Sequence, residues 1–256
     1  MAKNSKTFSI SADGIERIKT ISSVTNSSYI KRELFVKEKD EGMFLRTSLI
    51  DVPDDFIMPV YDLRSFISTY KMFEDSSIDY SDMDEKKYIK IINNKLSDKG
   101  KKKEFFIFRI HESIKMENDL DITKGGKIKE KMGEKVNSFT LTKENIKTIS
   151  KSCAIIDANQ ILISTTPENT INIKLINTKV ANANSFEMEI DNNLKITVPN
   201  LFFKLHSEHF SKLESGVDEY NVEFNYTEVL KNESPMCVFE NSDSGLCFFF
   251  GRMTKG

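Results

Sequence analysis

Apolar positions in this chain change their period along its length, and each change marks an element. Phe8 and Ile10 alternate with polar residues at period two, which reads as a short strand. Ser11 supplies an N-cap, and Ile15, Ile18 and Ile21 follow at threefold spacing, a narrow apolar stripe on one helix. The pattern then recurs. Phe139 and Leu141 alternate, Thr142 caps, and Ile146, Ile149 and less regularly Cys153 form the stripe. Thr7–Ile18 and Ser138–Ile149 match at a constant offset of 131, about half of the 256 residues. Such a period describes one domain built twice. Asp13 and Glu144, near the two helix starts, suit the helix dipole.

Between and beyond the copies most runs are strand-like. Tyr29–Lys37 and Met43–Leu49 flank an Asp40-Glu41-Gly42 turn signal. Phe56–Tyr61 contains Pro59, which suits an edge. Asp62 then caps a second helix that buries Leu63, Phe66, Ile67 and Tyr70. Ile78–Ser81 and Tyr88–Ile92 read as a hairpin, and Phe105–Ile110 as a further strand. In the second half Ala154–Asp157, Ile161–Thr165 and Ile171–Thr178 read as strands, and Phe186–Ile190 and Leu194–Val198 flank an Asn192-Asn193 turn. Asn200 takes the capping place of Asp62 and opens a fourth helix at Leu201–Leu205. Tyr220–Tyr226, Met236–Glu240 and Leu246–Met253 close the chain as strands, with a turn at Asp243-Ser-Gly245. The expected class is α+β: two repeated domains, each of β-sheets with two helices. The divisions are 1–110, a polar connector at 111–135 that contains Gly125-Gly126, and 136–256. Lys99–Lys103 reads as an exposed charged loop.

Composition narrows the class. With 39% hydrophobic and 30% charged residues the chain is globular, and its net charge of −2 gives no overall bias towards nucleic acid. Three cysteines without a CxxC pair fit a reducing interior and small buried hydrophobes, so a cytoplasmic location is expected. No apolar run approaches the ~20 residues of a membrane span.

Motifs for catalysis are missing. Gly125-Gly126-Lys127 lacks the spacing of a phosphate loop, and there is no GxSxG or HExxH. His206 and His209 are two residues short of a metal site and read as a solvated pair; Asp54-Asp55 reads as a turn. No enzyme, cofactor or metal is expected. The informative charges lie on the helices. Lys143, Lys147 and Lys151 recur every fourth residue; Arg17 and Lys19 flank the first apolar stripe; Arg64 and Lys71 face away from Phe66 and Tyr70; Lys204 lies on the expected fourth helix. Acidic residues cluster elsewhere, in Asp82–Glu85, Glu112–Asp121, Glu187–Asp191 and Asp218–Glu223. Basic helices with acidic strands and loops would hold a polyanion on one face.

Taken in order, several segments resemble the sliding clamps, the ring-shaped processivity factors of DNA polymerases, and most of all the trimeric clamp of T4-like tailed phages. They are the paired openings Phe8–Ile21 and Phe139–Lys151; Asp55-Phe56 with Pro59-Val-Tyr-Asp-Leu-Arg-Ser-Phe66; Asp75-Ser-Ser-Ile-Asp-Tyr80 with Tyr88-Ile-Lys-Ile91; and Ile171-Asn-Ile-Lys-Leu-Ile-Asn-Thr178. The chain departs from the pattern at 99–103, in its long connector and around Ser207–Asp218.

The resemblance implies a homotrimeric closed ring around duplex DNA, bound without regard to sequence. It implies tethering of the replicative polymerase, loading by a clamp-loader ATPase, and residence in the host cytoplasm of a phage-encoded protein. Phage clamps also serve transcription, so transcription factors are implied as further partners. Arg17, Lys19, Arg64, Lys71, Lys143, Lys147, Lys151 and Lys204 would face DNA. Phe105, Phe106, Ile107, Phe108 and Ile110 would meet Ile171, Ile173 and Leu175 of the next subunit as edge strands. Phe249, Phe250 and Met253 would take a partner peptide. The second copy, with the regular lysine row, is expected to contribute more of the attraction, because Glu16-Arg17 becomes Lys147-Thr148 there. The alternatives are a duplicated β-rich interaction protein that binds no DNA, and an enzyme with a site between its domains.

Overall fold

The computed structural model describes residues 6–38, 43–97, 104–110, 134–180, 183–191, 194–213, 217–226 and 236–250. The chain divides into two compact units. The described part of the first is 6–38, 47–97 and 104–110, and of the second 43–46 and everything from 134 onwards. Strands outnumber helices throughout, in a mixed α/β architecture, and no described helix is long and apolar enough to cross a membrane.

In the first unit β1 (Thr7–Phe8) leads into α1 (Ala12–Val24). The Ser11 hydroxyl accepts the Gly14 amide at 3.1 Å, and Ile15, Ile18 and Ile21 are buried, as the threefold spacing requires. Gly14 is there because of crowding: a Cβ on it would stand 2.6 Å from Cγ2 of the buried Ile10. The run Tyr29–Lys37 is two strands, β2 (Ser28–Ile30) and β3 (Glu33–Lys37), broken at Lys31-Arg32. There the Arg32 carbonyl accepts the Leu49 amide and its guanidinium pairs with Asp54 at 2.9 Å. β4 (Met43–Ser48) follows, and then β5 (Met58–Val60), which pairs with β2 across Pro59 and Tyr29. Asp62 caps α2 (Leu63–Tyr70) by accepting the Ser65 amide at 3.0 Å, and Leu63, Phe66, Ile67 and Tyr70 are its buried face.

A sheet in the order β1-β6-β7-β8 completes this unit, from β6 (Ser76–Asp79), β7 (Tyr88–Asn93) and β8 (Phe105–Arg109). Two single-turn helices, α3 (Met83–Lys86) and α4 (Asn94–Ser97), stand before and after β7. Phe66 meets Phe108 edge to face at 5.5 Å, which ties α2 to the sheet. Among the described residues β8 is hydrogen-bonded on one side only.

In the second unit β9 (Glu134–Thr142) runs directly into α5 (Lys143–Ile156), so Glu134 and Lys135 are strand residues rather than connector. Thr142 and Asn145 form a reciprocal capping box. Ala154–Asp157, expected as a strand, is the helix end: Ile155 is 82% exposed, and the Cys153 carbonyl accepts the amide of Asp157, whose φ of 51° ends the helix. β10 (Gln160–Thr165), β11 (Ile171–Ile176) and β12 (Phe186–Ile190) join β14 (Phe202–His206) in the order β12-β11-β10-β14. A second sheet of the unit runs β13-β9-β15-β16-β17-β4, from β13 (Lys195–Ile196), β15 (Glu219–Tyr226), β16 (Met236–Asn241), β17 (Leu246–Phe250) and Met43–Arg46 of β4. Phe203 of one sheet faces Phe224 of the other at 6.4 Å, and Phe224 in turn meets Phe139 at 6.1 Å. Each such buried ring is worth roughly 1.5–3 kcal/mol of transfer free energy.

The expected fourth helix is not formed. Residues 202–206 are β14, followed by the single turn α6 (Ser207–Phe210). The reason lies in the side chains: Phe203 and Leu205 are buried while Phe202, Lys204 and His206 are exposed, a period of two. Asn200, at φ 59°, is left-handed backbone and caps nothing. The Asp40–Gly42 and Asn192-Asn193 turns, the loop at 99–103 and the connector at 111–133 lie outside the described residues.

Candidate nucleic-acid interface

α1, α2 and α5 carry residues expected to face DNA, and their charges are in different states. On α1 the Arg17 guanidinium donates to the Ser48 carbonyl at 2.6 Å and is half-buried, so its charge is anchored to the fold. Lys19 contacts Glu16 one turn back. Lys71, the C-cap of α2, brings its ammonium to 3.8 Å from the same Glu16 carboxylate. The carboxylate raises the Lys19 pKa, while the adjacent Lys19 ammonium and then partial burial lower that of Lys71. Like charges 52 residues apart in sequence thus sit on one acid. Arg64, on α2, is exposed. A hollow of about 420 Å³ beside this cluster is lined by Ser9, Ile15, Glu16, Tyr70, Lys71 and Glu74, a mixture of signs.

α5 is different. Ile146 and Ile149 are buried, and Lys147 and Lys151 stand exposed, with no carboxylate in ion-pair range among the described residues. Lys143 reaches Asp218 at 3.4 Å, and its amide donates to the Asp218 carbonyl at 2.7 Å. A groove of about 220 Å³ runs beside this row, with Lys143, Lys147 and Lys151 on its rim and Ile146, Leu213 and Val217 in its floor. Counting both signs, Lys143, Lys147 and Lys151 against Glu144 leave α5 at +2, whereas Arg17 and Lys19 against Asp13 and Glu16 leave α1 at zero.

Lys204 is not part of a helical row. It lies on β14, with its ammonium 5.9 Å from the Phe202 ring centroid, and in register with Leu162, which is opposite Lys174 on β11. That face of the sheet is opposite the buried face of Ile163, Ile173 and Phe203, so the ground for grouping Lys204 with the helix cations is gone.

Two other expectations are corrected. β11 lies between β10 and β12, and Ile171, Ile173 and Leu175 are 0% exposed, so they are core and β11 is not an edge. Phe249 and Phe250 are buried in β17, an inner strand between β16 and β4 on which all five side chains are buried. Phe250 packs edge to face on Phe239 at 5.2 Å, so both rings belong to the core of the sheet. Met253 lies outside the described residues. By contrast Phe105 and Ile107 are exposed on the one-sided strand β8, and Phe106, Phe108 and Ile110 are half-buried.

The acidic strands are partly balanced in place. Lys174 pairs with Glu187 at 2.5 Å, Lys135 with Glu223 at 2.5 Å, and Lys90 with Asp79 and Asp82 at 3.9 and 3.7 Å. His206 is exposed, but His209 is half-buried and stacks on Phe250 at 6.2 Å, so the two are not a solvated pair. Sequence reasoning missed the role of Glu16, although its threefold spacing to Lys19 is the ordinary signal for a helix ion pair. It also missed Asn137, fully buried, whose side chain accepts the Thr197 and Val198 amides and donates to the Val198 carbonyl.

The fold is that of the sliding clamps. The chain superposes on the crystal structure of Proliferating Cellular Nuclear Antigen from Entamoeba histolytica with a TM-score of 0.67, over 99% of this chain and 100% of that one, at 10% sequence identity. No protein-family model matches the chain, and no curated protein matches it in sequence.

Proposed function

We propose that this protein is a DNA sliding clamp: a ring that encircles duplex DNA without reading its sequence and tethers a replicative polymerase to it. The observation that carries the reading is the sliding-clamp fold along the whole chain. The exposed row of Lys147 and Lys151 on α5 accords with it. A clamp has to stay on DNA and still move. Base-edge contacts would stop it, and flexible lysines in water give a diffuse, salt-screened attraction instead. Retention comes from topology, and tethering raises the polymerase's effective concentration at the primer end. No catalytic chemistry is required of the chain. The DNA-facing set we propose is Arg17, Lys19, Arg64, Lys71, Lys143, Lys147 and Lys151.

Ring closure needs two edges that meet between copies. β8 supplies one, with Phe105 and Ile107 exposed. With β11 interior, the edge we propose for the partner is β12 rather than β14, the other edge of that sheet among the described residues, because β12 exposes Glu189 beside the Lys174-paired Glu187, opposite in sign to the exposed Arg109 of β8. Three head-to-tail copies, of the kind the phage clamps form, would be loaded by a clamp-loader ATPase in the host cytoplasm and would serve polymerase and transcription factors. The domains would be 1–110 and 134–256, with 111–133 joining them. Light scattering tests the assembly: the expected mass is three times 29.4 kDa. A strict monomer at every concentration overturns the ring. Retention on circular but not linear duplex after loading tests encirclement.

A further inference from the structure

We infer that Glu16 is an internal brake on DNA attraction, which holds Lys19 and Lys71 away from phosphates and leaves the second unit as the main electrostatic grip. The inference rests on the DNA-clamp reading above. Its observation is the single carboxylate that two ammonium groups from two helices share, Lys19 in contact with it and Lys71 at 3.8 Å. Each of the three side chains is close to half exposed, at 42%, 49% and 48%. Both lysines are therefore within reach of solvent and of a polyanion, yet are already partnered.

The register of the two copies sharpens this. Glu16 and Lys147 are related by the repeat offset of 131, so the position that carries an acid on α1 carries an exposed lysine on α5. The exchange changes the sign at one helix position. In the first unit it turns two cations into a cluster of net +1; in the second it adds an exposed cation with no carboxylate partner among the described residues. Solvent-exposed ion pairs are individually weak, so Glu16 contributes little to stability and its effect falls on the field that a phosphate backbone meets. Duplex DNA would draw the two lysines off Glu16 only against that attraction. A ring gripped on all its helices would slide with more drag, and an acid at this position lowers the grip of the two basic helices of the first unit, α1 and α2.

Counterion release makes the idea measurable, since each phosphate contact contributes about 0.9 to the slope of log affinity against log salt. Binding of a short fluorescent duplex is measured across salt for the full chain and for five variants: Glu16→Gln, Asp13→Asn, Lys147→Gln/Lys151→Gln, Lys19→Gln/Lys71→Gln, and Glu16→Gln in that Lys19→Gln/Lys71→Gln background. Folding is checked by thermal melts. We expect Glu16→Gln to bind several-fold tighter at low salt, with a slope steeper by about one contact, and the gain to vanish at high salt and in the background lacking Lys19 and Lys71. Asp13→Asn removes the same charge from the same helix without freeing a lysine, and should give a smaller gain. An equal gain from Asp13→Asn, or a gain that persists without the two lysines, reduces Glu16 to bulk charge and overturns the inference. No gain from Glu16→Gln, while Lys147→Gln/Lys151→Gln weakens binding, overturns the inference and leaves the clamp reading standing. No effect from any variant overturns the helical DNA interface itself.

Discussion

The Tyr70 hydroxyl accepts a 2.7 Å hydrogen bond from the Ile10 amide, 60 residues earlier in the chain. It is placed to donate to the Ser76 carbonyl at 2.9 Å, and the Ser76 hydroxyl returns a bond to the Tyr70 carbonyl at 2.6 Å. One side chain at the end of α2 therefore fixes the strand that feeds α1 and the start of β6. Tyr70→Phe keeps the ring and its packing on Phe66 but leaves the buried Ile10 amide without its acceptor. A loss of roughly 1–3 kcal/mol is expected from an unsatisfied buried donor. Urea melts check it, and an unchanged midpoint would mean that water replaces the hydroxyl.

α5 depends on its capping box. Thr142 accepts the Asn145 amide at 3.3 Å while Asn145 accepts the Thr142 amide at 3.0 Å, so two otherwise orphaned donors are met at once. Thr142→Ala removes one acceptor and should cost about 1 kcal/mol, with Thr142→Ser restoring most of it. Thermal melts compare the three. Because the cap directly precedes Lys143, the alanine variant should also weaken duplex binding slightly if α5 forms part of the DNA surface.

Burial pushes the Cys153 thiol up from an ordinary 9.0 to about 11. The folded state favours the neutral thiol. Its contribution to stability is therefore fully present below about 9 and is lost as the pH rises through about 11. Alkylation of Cys153 should be slow at neutral pH, because the thiolate is the nucleophile, and should climb towards pH 11. Replacing Cys153 by Ala should flatten the alkaline loss of stability relative to the parent chain. Fast labelling of Cys153 at pH 7 would show that the helix end opens.

How far the sequence could be read follows from the kind of signal each element carries. α1, α2 and α5 were legible because their caps and threefold stripes are local, and Ser11, Asp62 and Thr142 all cap as read. β14 was not, because Leu201–Leu205 is a short apolar run whose period is ambiguous until Phe203 finds Ile163 across the sheet. The rank of a strand within its sheet is a long-range property: nothing local distinguishes β11, flanked on both sides, from an edge. The charge on the helices could be counted from the sequence, but its availability could not. That depended on Glu16 meeting Lys71 from another helix and on Arg17 meeting the Ser48 carbonyl.

Core and edge can be told apart by two aspartates. Ile173 is fully buried, in register with Ile163 on one side and Met188 on the other. A carboxylate there is stranded among apolar side chains, a cost that exceeds what a marginally stable domain can bear. Ile173→Asp should abolish the cooperative melt of the second unit. Ile107, 52% exposed on the one-sided strand β8, gives the opposite expectation. Ile107→Asp should leave the melting midpoint nearly unchanged, since exposed substitutions cost within about 0.5 kcal/mol, yet shift the mass measured by light scattering from that of the proposed trimer to that of a monomer. If Ile107→Asp keeps the mass of the parent assembly, β8 is not the closing edge of the proposed ring. If it unfolds instead, β8 is more deeply built into the first unit than its exposure implies.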